Sequence, residues 1–335
     1  METLTIRKPD DFHLHLRQGP EMGHFARETE RSFARALIMP NTLPPIIDPA
    51  GLHSYKAAIE KEAPGLEALM AFKLLPDMAP GVILEMQRAG ALIGKLYPAG
   101  TTTNSEDGIS SYEQIRDLLS AMEECGMVLS IHGEHPEAPV LEREISYLKE
   151  LEMIIRDYPR LRIVLEHLSC RESLRFIEEM PGHIAGTVTT HHLLYTLDDL
   201  LGGALKPHLF CKPVVKKKED RAALVEAACS GHPKLFYGSD SAPHPKNRKE
   251  WGSCSAGAFT ATVALPLLVD LFEREGALAQ LESFTSQRGA DFYGQPLNQV
   301  TVTLKKESWR VPPLIGGSVP LGAGELMSWK VMEKD

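Results

Sequence analysis

A chain of 335 residues with 43% hydrophobic and 24% charged side chains has globular composition, enough for one barrel-sized core or two smaller ones. Its formal charge of −9 argues against a general nucleic-acid or anionic-membrane surface. No segment has the apolar length of a membrane span, residues 1–7 lack the apolar core of a signal peptide, and the five Cys are dispersed, odd in number and without Cys-x-x-Cys. Neither a disulfide framework nor a thiolate zinc site is suggested, and a soluble cytoplasmic protein is the expectation. Lys216-Lys217-Lys218, the one basic run, reads as a solvated loop.

In chain order, the first element is a strand over 11–16, Asp-Phe-His-Leu-His-Leu. Alternation puts His13 and His15 on one face, Phe12, Leu14 and Leu16 on the other, and Arg17 in line with the histidines. Two imidazoles on one face of a rigid strand can share a metal ion. With 13 His in the chain, however, a His-x-His pair arises easily by chance, so its weight depends on further ligands. Strands follow over 34–39, 68–74 and 91–97, the last carrying Lys95 in an apolar run. A helix over 111–125 has Ser110 and Glu113 spaced as a capping box and Gly126 as its stop. A strand over 127–132 ends on His132 and one over 162–167 ends on His167. A helix over 172–180, a strand over 184–189 and a helix over 220–229 lead to a strand over 235–240 that ends on Asp240.

Eight strands alternating with helices predict a parallel sheet, closed or open and doubly wound. The count of eight, and polar residues at strand C-termini along the whole chain, favour the closed form, an α/β fold of the (β/α)8 TIM barrel type. After about residue 296 the pattern changes to alternation over 300–304, a Pro/Gly-rich stretch over 312–324 and a strand-like 327–331, which read as a hairpin. The predicted organisation is one domain over 1–335, with 296–335 a C-terminal extension packed on the barrel.

A single His at a strand end is more often a hydrogen-bonded structural residue than a ligand. His13, His15, His132, His167 and Asp240 carry more weight together, because a barrel brings all its strand C-termini to one face. The remaining histidines lack this context, except that His191-His192 follows a strand and fits either reading. Four His and one Asp exceed the three protein ligands usual for one catalytic zinc, yet are few for two ions without a shared anion. Lys95 is a candidate for that anion. Burial disfavours its ammonium, and a neutral amine adds carbon dioxide to give an anionic, bidentate carbamate. A Lys paired with a carboxylate or reaching solvent is the competing reading, and the residues leave both open. Other templates fail: Gly90 to Lys95 is one residue short of a phosphate loop, and His132-Gly-Glu-His135 has the wrong spacing for a zinc helix.

His13-Leu-His-Leu-Arg17, Met39-Pro-Asn-Thr42, Lys95-Leu-Tyr-Pro-Ala99, Ile131-His-Gly-Glu134, Glu166-His167 and Gly238-Ser-Asp-Ser-Ala-Pro-His244 occur in that order. Together they resemble the dihydroorotase family in its shorter bacterial class, within the amidohydrolase superfamily. The likeness runs from about Arg7 to about residue 295 and more loosely to the end. It implies reversible cyclisation of N-carbamoyl-L-aspartate to L-dihydroorotate and water in de novo pyrimidine synthesis, by a homodimer with no nucleic-acid or membrane partner. It also implies one zinc on His13, His15 and Asp240, a second on His132 and His167, and carboxylated Lys95 (N6-carboxylysine) and a hydroxide bridging the two. Asp240 is the implied proton carrier. Arg17, Asn41 and His244 are the implied contacts to the substrate carboxylate, with backbone near Ala256, and Lys212 contributes to the pyrimidine contact through backbone. Thr102 and Thr103 match a loop that closes over substrate.

Two positions depart from the family pattern: Lys212 stands where Leu is expected, and Gly100 where a larger polar residue is usual. A cyclic amidase of hydantoinase or dihydropyrimidinase type is the alternative activity, but its neutral substrates would leave Arg17, Asn41 and His244 without an anionic partner. A metal-free structural homologue should have lost ligands, and none is missing.

Overall fold

The computed structural model describes residues 2–332. A first strand, β1 (Thr3–Arg7), precedes eight barrel strands: β2 (Asp10–Leu14), β3 (Arg35–Ile38), β4 (Glu67–Lys73), β5 (Ala91–Leu96), β6 (Val128–Ile131), β7 (Ile163–Leu165), β8 (Ile184–Val188) and β9 (Leu235–Tyr237). They pair in parallel in sequence order, the TIM-barrel arrangement expected from the alternation. The seam between β9 and β2 closes through backbone: Asp240 N–H donates to His13 O at 2.8 Å and His15 N–H to Ser241 O at 3.0 Å. No helix among the described residues is long and apolar enough to cross a membrane.

Every barrel strand ends earlier than its apolar run, so His15, His132, His167 and Asp240 sit just past the pairing rather than on it. His167 (φ 44°) and Asp240 (φ 45°) are in the left-handed region, which a strand ladder does not accommodate. Strand β2 also departs from strict alternation. Its register against β3 shifts between Asp11 and Leu14, and Phe12 joins the inner cluster although Leu14, two residues on, packs with the outer one.

The inner cluster takes one fully buried side chain from each barrel strand: Phe12, Leu37, Ala71, Ile93, Val128, Val164, Ala185 and Phe236. Tyr293, from the helix Arg288–Tyr293, stacks on Phe12 beneath this floor, ring centroids 4.9 Å apart. Residues two further along the same strands share the inward direction. These are Lys73, Lys95, Ser130, Glu166 and Thr187, all buried. The barrel therefore has an apolar floor with a polar layer directly above it, which is where a site can be built.

The helix predicted over 111–125 forms as a 3-10 turn, Tyr112–Ile115, followed by Arg116–Cys125. Its capping box lies one residue later than expected, at Ser111 and Gln114, because the tighter first turn brings Gln114 back to the Ser110 and Ser111 N–H groups. Gly126 ends it at φ 73°, the left-handed stop that glycine adopts without strain. Lys216 corrects the solvated-loop expectation. It is buried because the chain turns inward at Val215, and only Lys217 and Lys218 remain exposed at the start of the next helix.

Strands β10 (Thr301–Arg310) and β11 (Leu326–Val331) form an antiparallel pair, and β10 also pairs with β1, a strand the sequence reading did not anticipate. The base of the barrel is tied to the segment before β10 by a buried bidentate pair. Arg35 donates from Nε to Asp10 Oδ1 at 2.9 Å and from Nη2 to Oδ2 at 2.5 Å, while Nη1 reaches Pro296 O at 2.8 Å. Asp10→Ala is expected to cost about 3–5 kcal/mol of unfolding free energy, because it strands a buried guanidinium. Urea unfolding checks this, and a loss below about 1 kcal/mol would mean that the pair behaves like an exposed one.

Candidate active site

The strand ends bring two groups of ligand-capable side chains together above the polar layer. His13 Nε2 and His15 Nε2 lie 3.4 and 3.1 Å from Asp240 Oδ1, all three residues buried. Opposite them, His132 Nδ1 and His167 Nε2 are 3.1 Å apart, and the His13 and His167 ring centroids are separated by 5.1 Å. Burial drives the pKa of His13, His15 and His167 below the ordinary value, so these imidazoles are neutral, with lone pairs available.

The polar layer aims these rings. Glu166 Oε2 accepts from His13 Nδ1 at 2.9 Å, which leaves His13 Nε2 as the free donor atom facing Asp240. Glu134 Oε2 binds His132 Nε2 at 2.9 Å and so turns Nδ1 toward His167. Glu166 is held by Ser130 and by Thr187 Oγ1 at 2.7 Å. Burial pushes its carboxyl up, but His13 and Lys95 outweigh this and hold it at about 2. Lys95 is fully buried, donates to Ser130 Oγ at 3.1 Å and forms no ion pair among the described residues. Burial pulls its amine down to about 8, against the attraction of Glu166 and Asp240.

A second corner of the same cavity carries cationic and hydrogen-bonding groups. Arg17 (φ 62°) donates from Nε to Pro243 O at 3.1 Å, and its Nη2 lies 2.8 Å from His244 Nε2. The same Nε2 is 2.9 Å from Ala256 O. Burial and the Arg17 cation drive His244 to about 2, so the ring is neutral. A neutral ring nitrogen either accepts from Arg17 or donates to Ala256, not both. An anion seated against Arg17 would release His244 to donate.

The loop over this cavity is tied down from three sides. Asn41 Nδ2 donates to Thr103 O at 3.0 Å, buried Lys73 to Asn104 O at 2.8 Å, and Lys212 Nζ to Thr101 O at 2.7 Å. Lys212 thus puts its side chain on this loop, at the position where Leu was expected. His13, His15, Arg17, Asn41, Thr102, Thr103, His132, His167, Lys212, Asp240 and Ala256 all line one cavity, with Lys95 below and His244 beside Arg17. Its volume of about 20 Å³ is room for little more than a water molecule, so a ring-sized ligand enters only if the lining moves.

Sequence reasoning quoted Glu134 and Glu166 within motifs without assigning them work, and it missed Lys73, Ser130 and Thr187. It also set the cysteines aside, whereas Cys211 lies beside buried His191 and His192 in a metal-capable group. In that group His192 spends Nδ1 on Thr189 Oγ1 and Nε2 on Pro213 O, which also accepts from Cys211 Sγ, so only His191 has unused nitrogens.

No protein-family model matches the chain. Among curated proteins, dihydroorotases from Vibrio parahaemolyticus and Teredinibacter turnerae are 43% and 40% identical to it, covering 99% of this chain and 100% and 99% of their own. Among solved structures, dihydroorotase from Saccharomyces cerevisiae in complex with 5-fluoroorotic acid superposes with a TM-score of 0.93 at 33% identity, covering 99% of both chains. That from Campylobacter jejuni gives 0.92 at 35%, covering 99% of this chain and 98% of its own. L-hydantoinase from Arthrobacter aurescens, at 0.81 and 18% over 98% of this chain and 82% of its own, shares the barrel. Identity at this level over the full length, on a barrel whose strand ends meet as described, makes the chain a member of the dihydroorotase family, hydrolases that act on a cyclic amide bond.

Proposed function

We propose that the chain opens and closes the dihydroorotate ring, and that His13, His15 and Asp240 would hold one zinc ion and His132 and His167 a second, with carboxylated Lys95 completing the donor set. The donor set fits such ions: burial keeps His13, His15 and His167 neutral, His13 and His132 are each oriented by a carboxylate on the opposite ring nitrogen, and His167 Nδ1 is buried with no partner among the described residues. Ions bound there would lower the pKa of water and polarise the ring carbonyl. Lys95 joins this set once its neutral Nζ attacks carbon dioxide, forming an N–C bond and losing one proton to give the carbamate. Asp240 carries the proton, taking it from the attacking water and returning it to the ring nitrogen as the C–N bond breaks.

The observation that carries this reading is that Arg17, with His244 against its guanidinium, lines the same cavity as the imidazole–carboxylate cluster. Arg17 offers a fork of donors to a carboxylate, and Asn41, His244 and the backbone at Ala256 complete its surroundings. Thr102 and Thr103 close over the ring, with Lys212 beside them. A neutral hydantoin or dihydrouracil ring would leave this corner without an anion. The reading includes a cytoplasmic homodimer acting on the N-carbamoyl-L-aspartate/L-dihydroorotate pair. Assayed side by side, dihydroorotate is expected to be hydrolysed at least about a hundredfold more efficiently than hydantoin or dihydrouracil. Preference for either neutral ring would overturn the assignment.

A further inference from the structure

Lys249 is a buried lysine outside the ligand cluster, at the end of the short helix Lys246–Lys249. Its ammonium makes three hydrogen bonds, all to backbone carbonyls: Phe210 O at 2.9 Å, Ser255 O at 2.9 Å and Gly257 O at 2.8 Å. Phe210 O also accepts from Gly257 N–H at 2.9 Å. One cation thus clamps the segment on either side of Ala256 to the segment that leads through Cys211 into Lys212. Residues 254–257 lie outside helix and strand, so their carbonyls depend on side chains for partners. Ser255 O and Gly257 O are held by the ammonium, while Ala256 O between them meets His244 Nε2 at 2.9 Å. Gly257 (φ 145°) leaves little slack, since a Cβ there would stand 2.6 Å from Ala242 O and 3.0 Å from His244 Cδ2.

We propose that Lys249 is a positioning residue for substrate binding: it fixes the Ser255–Gly257 backbone, and through Ala256 the His244 ring, against Arg17. This rests on the proposed function, in which that corner receives the substrate carboxylate. A neutral side chain of similar length removes the clamp: Phe210 O keeps the Gly257 N–H and Ser255 O the Cys254 thiol, but Gly257 O loses its donor.

Lys249→Met is expected to raise the KM for dihydroorotate about tenfold, and to weaken competitive inhibition by orotate by the same factor. Zinc content and kcat should stay within about threefold of wild type, because among the described residues Lys249 contacts Phe210, Ser255 and Gly257 and none of the proposed ligands. Lys249→Gln, whose amide keeps two N–H donors, should fall between wild type and Met, and it carries the test if the Met variant does not fold. An unchanged KM in a folded variant, or parallel collapse of kcat, KM and zinc content, would overturn the proposal. Arg17→Ala run alongside separates the two claims. If it loses orotate binding while Lys249→Met does not, the clamp fails and the carboxylate corner stands; if neither loses it, the corner itself is misassigned.

Discussion

Lys95→Ala is expected to lower dihydroorotate turnover by more than about a hundredfold, a larger loss than removing an outer partner of a metal ligand causes. It should lose bound zinc in step. Lys95 sits at the top of an inward row, two residues past Ile93, where alternation leaves it no route to solvent. A lysine there needs a chemical reason. A counter-ion is one, yet among the described residues Nζ hydrogen-bonds only the Ser130 hydroxyl and otherwise lies over the Tyr97 ring, and Glu166 is already engaged by His13, Ser130 and Thr187. The amine is close enough to His13, His15, His167 and Asp240 to bias their titration, so an anion grown on Nζ would be near both donor groups. Short carboxylic acids such as acetate or propionate should restore part of both activity and zinc content by occupying the space left by the side chain. Rescue distinguishes a missing carboxylate from a damaged fold. Wild-type zinc binding and turnover in Lys95→Ala would end the bridging-carbamate reading.

How legible each feature was in the sequence depends on how local its signal is. Strand ends were readable because apolar runs stop on a His or Asp, and barrel geometry does the rest for His132, His167 and Asp240. Glu166, Ser130 and Thr187 were harder. Each lies two residues beyond an inward apolar side chain (Val164, Val128, Ala185), but a strand buried on both faces is apolar in both registers, so inward parity cannot be assigned without the partner strands. The break in alternation at Phe12 belongs to the same class, since it appears only in the register against β3. Lys249 was not readable at all. Lys246-Asn-Arg-Lys249-Glu250 looks like a solvated charge run, and the three carbonyls that hold it have no side-chain signature. β1 was passed over because its partner β10 lies nearly the whole chain away.

Asp240→Ala is expected to cut turnover by about 10²–10⁴-fold, the usual contribution of a positioned proton carrier, over and above any loss explained by zinc content. The backbone supports more than a ligand role. Asp240 holds φ at 45°, a conformation a non-glycine residue keeps only where its surroundings impose it, and its N–H is bonded to His13 O at 2.8 Å. Ser239 and Ser241 on either side are fully buried and hydrogen-bonded, Ser239 N–H to Asp11 Oδ1 at 2.8 Å and Ser241 N–H to Ser239 Oγ at 2.9 Å. The carboxylate is therefore fixed at the barrel seam, with Oδ1 toward His13 and His15 and the cavity on its open side. A group held this way can take a proton from water and deliver it to a ring nitrogen without first searching for position. The measurement is turnover per bound zinc, after reconstitution with excess metal, with zinc counted on the same sample. If the fully metallated variant retained a near-normal rate, Asp240 would be a ligand only, and the proton would have to travel through another group facing the cavity.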